Sequence, residues 1–139
     1  MTNYGPDLDL QAAIVDALTG SAALTALVST RIYQDAPPGN WPGDYVTLGE
    51  GQVLDASDEC SDAVEVLPVI HAWSRRGTGF FEVKRMAHAI KSALHNATLT
   101  LENNVCFSIM LESAVIMRDP DGITKHAALT FRARIEPAA

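Results

Sequence analysis

The sequence has no long apolar segment, and its first half has almost no positive charge. No run of about 18 apolar residues occurs, so the sequence predicts no membrane-spanning helix. The first residues lack the basic and apolar regions of a signal peptide. We therefore expect a soluble protein that is made in a cytoplasm and does not bind a membrane.

Cysteine is also scarce. Cys60 and Cys106 are the only two, and they do not form a C-x-x-C motif. One lies in an acidic loop and the other in a predicted strand. We interpret them as buried or idle thiols rather than as a disulfide or a metal site.

The motifs that usually mark catalysis or cofactor binding are missing. Neither G-x-G-x-x-G nor a Walker sequence is present, and the acidic stretch 55–62 lacks the ligand spacing of a calcium loop. His88 and His95 are seven residues apart, which is not the spacing of H-E-x-x-H. The sequence thus predicts no catalytic residue, no cofactor and no metal. An alternative stays open, a small ligand-binding or metal-dependent enzyme domain that uses His71, Trp73 and the acidic loop.

The length and the charge of the chain limit what it can be. With 139 residues and 47% hydrophobic content, residues 1–139 are long enough for one domain with one core. The net charge is −7, but residues 1–74 contain eleven acids and one base, whereas residues 75–139 contain six acids and nine bases. An acidic protein lacks the dense basic surface that neutralises phosphates, so specific DNA binding is not expected.

A strand followed by a helix organises the rest of the chain. Residues 64–73 are apolar on both faces, so this strand should lie inside a sheet, with Pro68 causing a bulge or a local gap in pairing. Thr78 is predicted to cap the helix that follows. That helix has one apolar face, because its large apolar residues recur at spacings of 3, 4 and 4: Val83, Met86, Ile90 and Leu94.

The other elements follow from shorter patterns. We predict helices near 8–18 and 22–28, a strand at 45–49 and an exposed, mobile connection at 54–63. The C-terminal third alternates with a period of two, which predicts a long hairpin closed by a turn at 119–122. Its inward residues should be the odd-numbered ones, namely Val105, Phe107, Ile109, Leu111, Val115 and Met117, then Ala127, Leu129, Phe131, Ala133 and Ile135.

These patterns predict an α+β fold in the order α-α-β-β-α-β-β. We expect a mostly antiparallel four-stranded sheet that is flanked by helices and ends in the long C-terminal hairpin. The apolar face of the central helix should pack on the inward face of that hairpin, chiefly on Ile109, Leu111, Leu129 and Phe131.

Several stretches in this order resemble one known family. They are Arg-Ile-Tyr at 31–33 with Ala-Pro at 36–37, Tyr-Val-Thr-Leu-Gly at 45–49, His-Ala-Trp-Ser at 71–74, and Asp-Pro-Asp-Gly at 119–122 with His126 and Phe131-Arg132. Over residues 8–136 the chain is similar to the tail-terminator, or tail-completion, proteins of siphophages, prophages and gene transfer agents. Asp44 departs from the family, which often has proline there.

The resemblance implies a structural virion protein and not an enzyme. Such proteins form a homo-hexameric ring that caps the head-proximal end of the tail tube, stops its polymerisation and offers a docking surface to the capsid neck. The implied partners are the tail tube protein and a head-tail connector or stopper, and the implied site of assembly is the bacterial cytoplasm. DNA would pass through the ring without specific binding. A different neck ring, such as a stopper or an adaptor, remains an alternative.

A ring needs two complementary patches on each subunit, and the sequence offers one pair. We expect an acidic group to meet a basic group on the neighbouring subunit. The acidic group is Asp55, Asp58, Glu59 and Asp62, and the basic group is Arg75, Arg76, Lys84, Arg85 and Lys91. The alternative is that these charges are only solvated surface, since exposed single pairs contribute about 0–1 kcal/mol.

Overall fold

The computed structural model describes residues 5–34, 36, 37 and 39–138. In these residues three helices and five strands follow one another in the order α-α-β-β-β-α-β-β. Their bounds are α1 Pro6–Thr19, α2 Ala22–Val28, β1 Ile32–Tyr33, β2 Tyr45–Asp55, β3 Val64–Ser74, α3 Phe81–Leu94, β4 Asn104–Arg118 and β5 Lys125–Pro137. The predicted α+β class is confirmed.

The sheet has one strand more than the four predicted. Its order is β1-β2-β3-β5-β4, and every pairing is antiparallel except that of β1 with β2. Strand β1 pairs Ile32 with Val46 and Tyr33 with Thr47 in parallel. Two residues are too short to show an alternating pattern, so the sequence could not reveal this strand.

Strand β3 lies in the middle of the sheet, as its apolar faces predicted. It pairs with β2 on one side and with β5 on the other. The expected irregularity near Pro68 is also present. Pro68 stands opposite Gly51, and the register of β2 shifts by one residue between Leu48 and Gly51.

The helices cover one face of the sheet and form the core with it. The predicted stripe of α3 is confirmed, because Val83, Met86, Ile90 and Leu94 are all buried. They belong to the same apolar cluster as Ile109, Leu129 and Phe131, while Leu111 is only partly buried against it. The central helix therefore packs on the C-terminal hairpin as expected.

The predicted N-cap of α3 was wrong. The helix begins at Phe81 with Phe80 in the cap position, and no side chain caps it. Thr78 lies too far upstream to bond the first free amides. Its carbonyl oxygen instead accepts a hydrogen bond from Nη2 of Arg118 at 3.2 Å, which ties the loop before α3 to the end of β4.

The alternation predicted for β4 was wrong at its two ends. Register shifts occur between Cys106 and Ser108 and between Leu111 and Ser113. Each β-bulge adds one residue and moves the following side chains to the other face. Four of the predicted inward residues are exposed instead, with exposed fractions of 39 to 61%: Val105, Phe107, Val115 and Met117. In β5, which has no such shift of its own, all five predicted inward residues are buried.

No single helix among the described residues is both long and apolar enough to cross a membrane. Helices α1 and α2 reach the required length and composition only when they are joined across a bend of 80°.

Candidate interaction surfaces

Among the described residues, no second layer of helices or strands covers the face of the sheet that lies opposite the helices. In β3, Val66, Ile70 and Ala72 face the helices and are buried, whereas Val69 and Trp73 point the other way and are half-buried. The free edge of the sheet is β4, and its outward side exposes a row of large apolar residues: Val105, Met110, Val115 and Met117, with Phe107 in the first bulge. A surface of this kind is typical of protein contacts.

Two histidines form a hydrogen-bonded pair on this outer face. His71 Nδ1 lies 2.7 Å from His126 Nε2, and His71 Nε2 lies 3.0 Å from Glu50 Oε2. A carboxylate only accepts hydrogen bonds, so His71 Nε2 must carry the hydrogen that faces Glu50. In the neutral pair, His126 Nε2–H therefore donates to Nδ1 of His71. Both ring nitrogens of His71 are thus engaged in hydrogen bonds.

The environment of His126 favours its neutral form. Burial lowers the pKa of His126, the positive charge that His71 can carry lowers it further, and the Asp119 and Glu50 carboxylates oppose both effects. The ring of His126 also stacks on Trp73, with centroids 3.8 Å apart and planes 8° apart. This packing fixes the position of the pair on the sheet.

A second network joins three strands on the same face. Arg132 of β5 donates from Nε and Nη2 to the two carboxylate oxygens of Glu112 at 2.8 and 3.1 Å, and it also contacts Glu65 of β3. The hydrogen bond from Arg132 lowers the pKa of Glu112. Glu112 lies within the second bulge of β4. Arg132 is thus paired within the chain rather than free for a partner.

Asp44, the residue that departs from the family pattern, is a buried anchor. Its Oδ2 accepts a 2.9 Å hydrogen bond from Ser74 Oγ, and its Oδ1 accepts one from the backbone amide of Arg75 at 3.3 Å. The backbone carbonyl oxygen of Asp44 accepts a hydrogen bond from Arg31 Nε at 2.8 Å. Asp44 therefore links the start of β2 to the end of β3, a role that a proline side chain could not perform.

The residues of the enzyme alternative do not come together. His71 and Trp73 lie towards the end of β3 that leads to α3, and the acidic loop lies at its other end. The cavity beside Trp73, about 340 Å³, is lined by Trp41, Tyr45 and Arg75 together with Asp119 and Asp121. Within the described part of the chain, no group of three or more His, Cys, Asp or Glu side chains could hold a metal ion.

The predicted acidic group lies at the tip of the β2–β3 hairpin. Strand β2 continues to Asp55, beyond its predicted end, and the connection is an exposed, hydrogen-bonded turn. Asp58 Oδ1 accepts hydrogen bonds from the backbone amides of Cys60 at 2.7 Å and Ser61 at 2.9 Å, and these bonds lower the pKa of Asp58. The pKa of Asp55 is lowered by hydrogen bonds from the side chain and then the backbone amide of Ser57. Glu59 and Asp62 are exposed, and no hydrogen bond or ion pair from another described residue holds their carboxylates.

The end of β2 that carries this tip lies at the edge of the sheet, beyond the two residues that pair with β1. Val53 and Leu54 are neighbours in a strand, so their side chains point to opposite faces. Val53 is 47% exposed and Leu54 is 38% exposed. Neither face of the sheet is covered at this point. We call residues 50–65 the β2–β3 arm.

The predicted basic group divides into paired and unpaired residues. Arg75 lies 4.4 Å over the ring of Trp41 and 4.0 Å from an Asp121 oxygen. Arg76 and Arg85 both pair with Glu82, at 3.8 and 3.3 Å. Lys84 and Lys91, also on α3, are exposed and form no ion pair among the described residues. None of the five contacts the acidic group within the chain.

Helices α2 and α3 form a groove that the sequence did not reveal. Its volume is about 550 Å³, and Ala23 and Leu27 of α2 form one wall. The other wall is a second stripe of α3: Phe81, Lys84, Arg85, His88, Ala89 and Ser92. Phe81 is 72% exposed. In the sequence, the groove was indicated only by the position of Phe81 outside the buried stripe of α3. A large apolar residue on the polar face of a helix has no partner in the core.

Known proteins match this chain over nearly its whole length. Residues 12–136 match the family model described as tail completion protein gp17. The chain therefore belongs to the tail completion protein gp17 family and is a structural protein of a virion tail, as the resemblance implied. No curated protein matches its sequence.

Two solved structures extend the comparison. One is a chain in the virion of a native gene transfer agent particle, with a TM-score of 0.89 and 34% identity, over 96% of this chain and 99% of that one. The other is the gp17 protein of bacteriophage SPP1, with a TM-score of 0.57 and 23% identity, over 95% of this chain and 91% of that one. The SPP1 protein shares the fold.

Proposed function

We propose that this protein forms a homo-hexameric ring on the head-proximal end of the tail tube. The ring stops tube polymerisation and offers a docking surface to the connector or stopper protein of the capsid neck. The similarity to the gene transfer agent virion chain carries this proposal, because it extends over 96% of this chain at a TM-score of 0.89. A likeness of that extent covers nearly every element of the fold.

The distribution of exposed apolar residues supports an assembled state. One set lies on the outward side of β4, a second lies at Val53 and Leu54 near the end of β2, and a third is Phe81 at the start of α3. A subunit within a ring contacts a neighbour on each side and further partners above and below, so several separate apolar surfaces are expected. A monomer would leave all of them in water.

The charge of the chain fits a conduit for DNA. Six copies at −7 each would carry −42, which repels the phosphates of DNA in any channel that the ring encloses. DNA would pass through without specific binding. We also propose that the protein has no catalytic activity and no metal cofactor. A stoichiometric divalent ion that stays with the purified protein through dialysis would contradict this part.

The experiment is to add the purified protein to the tail tube protein of the same virion while tubes grow. We expect electron micrographs to show shorter tubes with extra density at one end, and a length that decreases as more protein is added. Tubes of unchanged length would contradict a terminator. Binding to isolated capsid necks but not to tube ends would instead indicate another neck ring, such as a stopper or an adaptor.

A matched variant makes this test specific. Val115→Asp with Met117→Asp places two charges on the exposed side of β4 and leaves the core untouched. If this surface meets the tube or the neck, the variant should keep the native fold and lose one of the two binding reactions. An unchanged variant would assign those contacts to another surface.

A further inference from the structure

We propose that the β2–β3 arm of one copy docks into the groove between α2 and α3 of the next copy, and that this contact joins the subunits head to tail. The inference rests on the proposed ring and adds to it the two surfaces that meet. It identifies the partner of each surface as a second copy of this chain.

The arm has the features of a segment whose partner is missing. Its strand exposes Val53 on one face and Leu54 on the other, and residues 49–55 are all exposed. Its turn is nevertheless held in one shape by Asp55 and Asp58, whose carboxylates accept backbone amides. An ordered, two-sided apolar hairpin loses little conformational freedom when it binds.

The groove has the complementary composition. Leu27, Phe81 and Ala89 provide apolar walls, and Lys84, Arg85 and His88 surround them. A groove of this kind suits an apolar segment that carries negative charge. Within the described residues the arm is such a segment, with apolar side chains beside Glu59 and Asp62 and no basic residue between positions 50 and 65.

The arm cannot enter the groove of its own chain. The turn of the arm joins β3 at Val64, and α3 begins beyond Ser74 at the other end of β3. Strand β3 advances about 3.3 Å per residue, so its ends are separated by roughly 33 Å. The two surfaces therefore lie at opposite ends of the subunit. A contact between unlike patches repeats from copy to copy and closes a ring when the rotation allows it.

Charge reversal tests the electrostatic part of the contact. Glu59→Lys with Asp62→Lys changes two unpaired acids and keeps the two aspartates that hold the turn. Lys84→Glu with Lys91→Glu changes two unpaired bases that share one face of α3, since they are seven residues apart. We expect each double variant to weaken assembly roughly tenfold in sedimentation at low salt, and the fourfold variant to regain much of the loss.

The matched control is Asp16→Lys, which reverses an exposed acid on α1 outside both surfaces. It should assemble like the wild type. Phe81→Ser should weaken assembly at every salt concentration, because it removes apolar contact rather than charge. Equal ring populations in the wild type, both double variants and Phe81→Ser would overturn the inference.

Cys60 at the tip of the arm provides a direct probe. It is exposed, and Cys106 is half-buried. A His88→Cys variant should form disulfide-linked oligomers between copies under mild oxidation. Cys60→Ser in the same chain should abolish them, and Asp16→Cys should not form them. Rings of the His88→Cys variant in which the introduced thiol never links to Cys60 would overturn the contact and leave the ring intact. A wild type that forms no ring would contradict the proposed function itself.

Discussion

Asp9 in α1 and Asn104 at the start of β4 are 95 positions apart in sequence, yet Asn104 Nδ2 donates a 2.9 Å hydrogen bond to Asp9 Oδ2. The backbone amides of Glu102 and Asn103 donate to the same carboxylate at 3.1 and 2.9 Å. Burial raises the pKa of Asp9, but these hydrogen bonds together outweigh it, and the net shift is downward. The first helix is thereby joined to the segment that enters the C-terminal hairpin.

Asp9→Ala should destabilise the protein by about 1–3 kcal/mol, because it leaves partly buried donors without an acceptor. Urea unfolding at pH 7 measures the difference. Asp16→Ala, an exposed aspartate on the same helix, should change stability by less than about 0.5 kcal/mol.

The pH dependence of this difference follows from the lowered pKa. The contribution of Asp9 is complete above its unfolded pKa of about 3.9 and is lost as the pH falls through the lower folded value. The wild type and Asp9→Ala should therefore converge in stability at strongly acidic pH. A difference that stays constant from pH 7 to pH 2 would show that the carboxylate charge is not involved.

Ile90→Ala tests the packing of α3 on the hairpin. Ile90 is fully buried, and the loss of its side chain should leave a cavity that costs about 2–5 kcal/mol. Lys91→Ala, at the adjacent exposed position, is the control. A loss of less than about 0.5 kcal/mol for Ile90→Ala would show that this face is not the core.

The pair of His71 and His126 should make stability depend on pH in the range near neutrality. The folded pKa of His126 lies below its unfolded value of about 6.5. The neutral ring therefore contributes stability that is complete above that value and is lost as the pH falls through the folded pKa. His126→Phe keeps a ring on Trp73 and removes the titration, so its unfolding free energy should fall less between pH 8 and pH 5. Equal slopes would contradict this.

The apolar patterns that depend on a single helix or strand were predicted correctly from the sequence. The stripe of α3 and the alternation of β5 follow from a regular repeat, and the structure buries both sets. Strand β4 looked just as regular. Its two bulges moved Val115 and Met117 to the outer face, and a bulge depends on pairing with a neighbouring strand rather than on local composition.

The interaction surfaces were readable only in part. The sequence was sufficient to predict Glu59 and Lys84 as interaction residues, because the charge of a side chain is known without its three-dimensional surroundings. The groove did not appear in the sequence, since it forms between α2 and α3, which are separated by three strands along the chain. The anchoring contact of Asp44 was not visible either, because its partner Ser74 is thirty positions away along the chain.

The mass of the assembled particle tests the central proposal most directly. Native mass spectrometry of the wild-type protein, over a range of concentrations at low salt, counts the copies. A ring of six chains of 14.9 kDa predicts a species of about 89 kDa that becomes dominant as the concentration rises, without open-ended larger polymers. A protein that remains at 14.9 kDa, or stops at a dimer, throughout that range would contradict the ring.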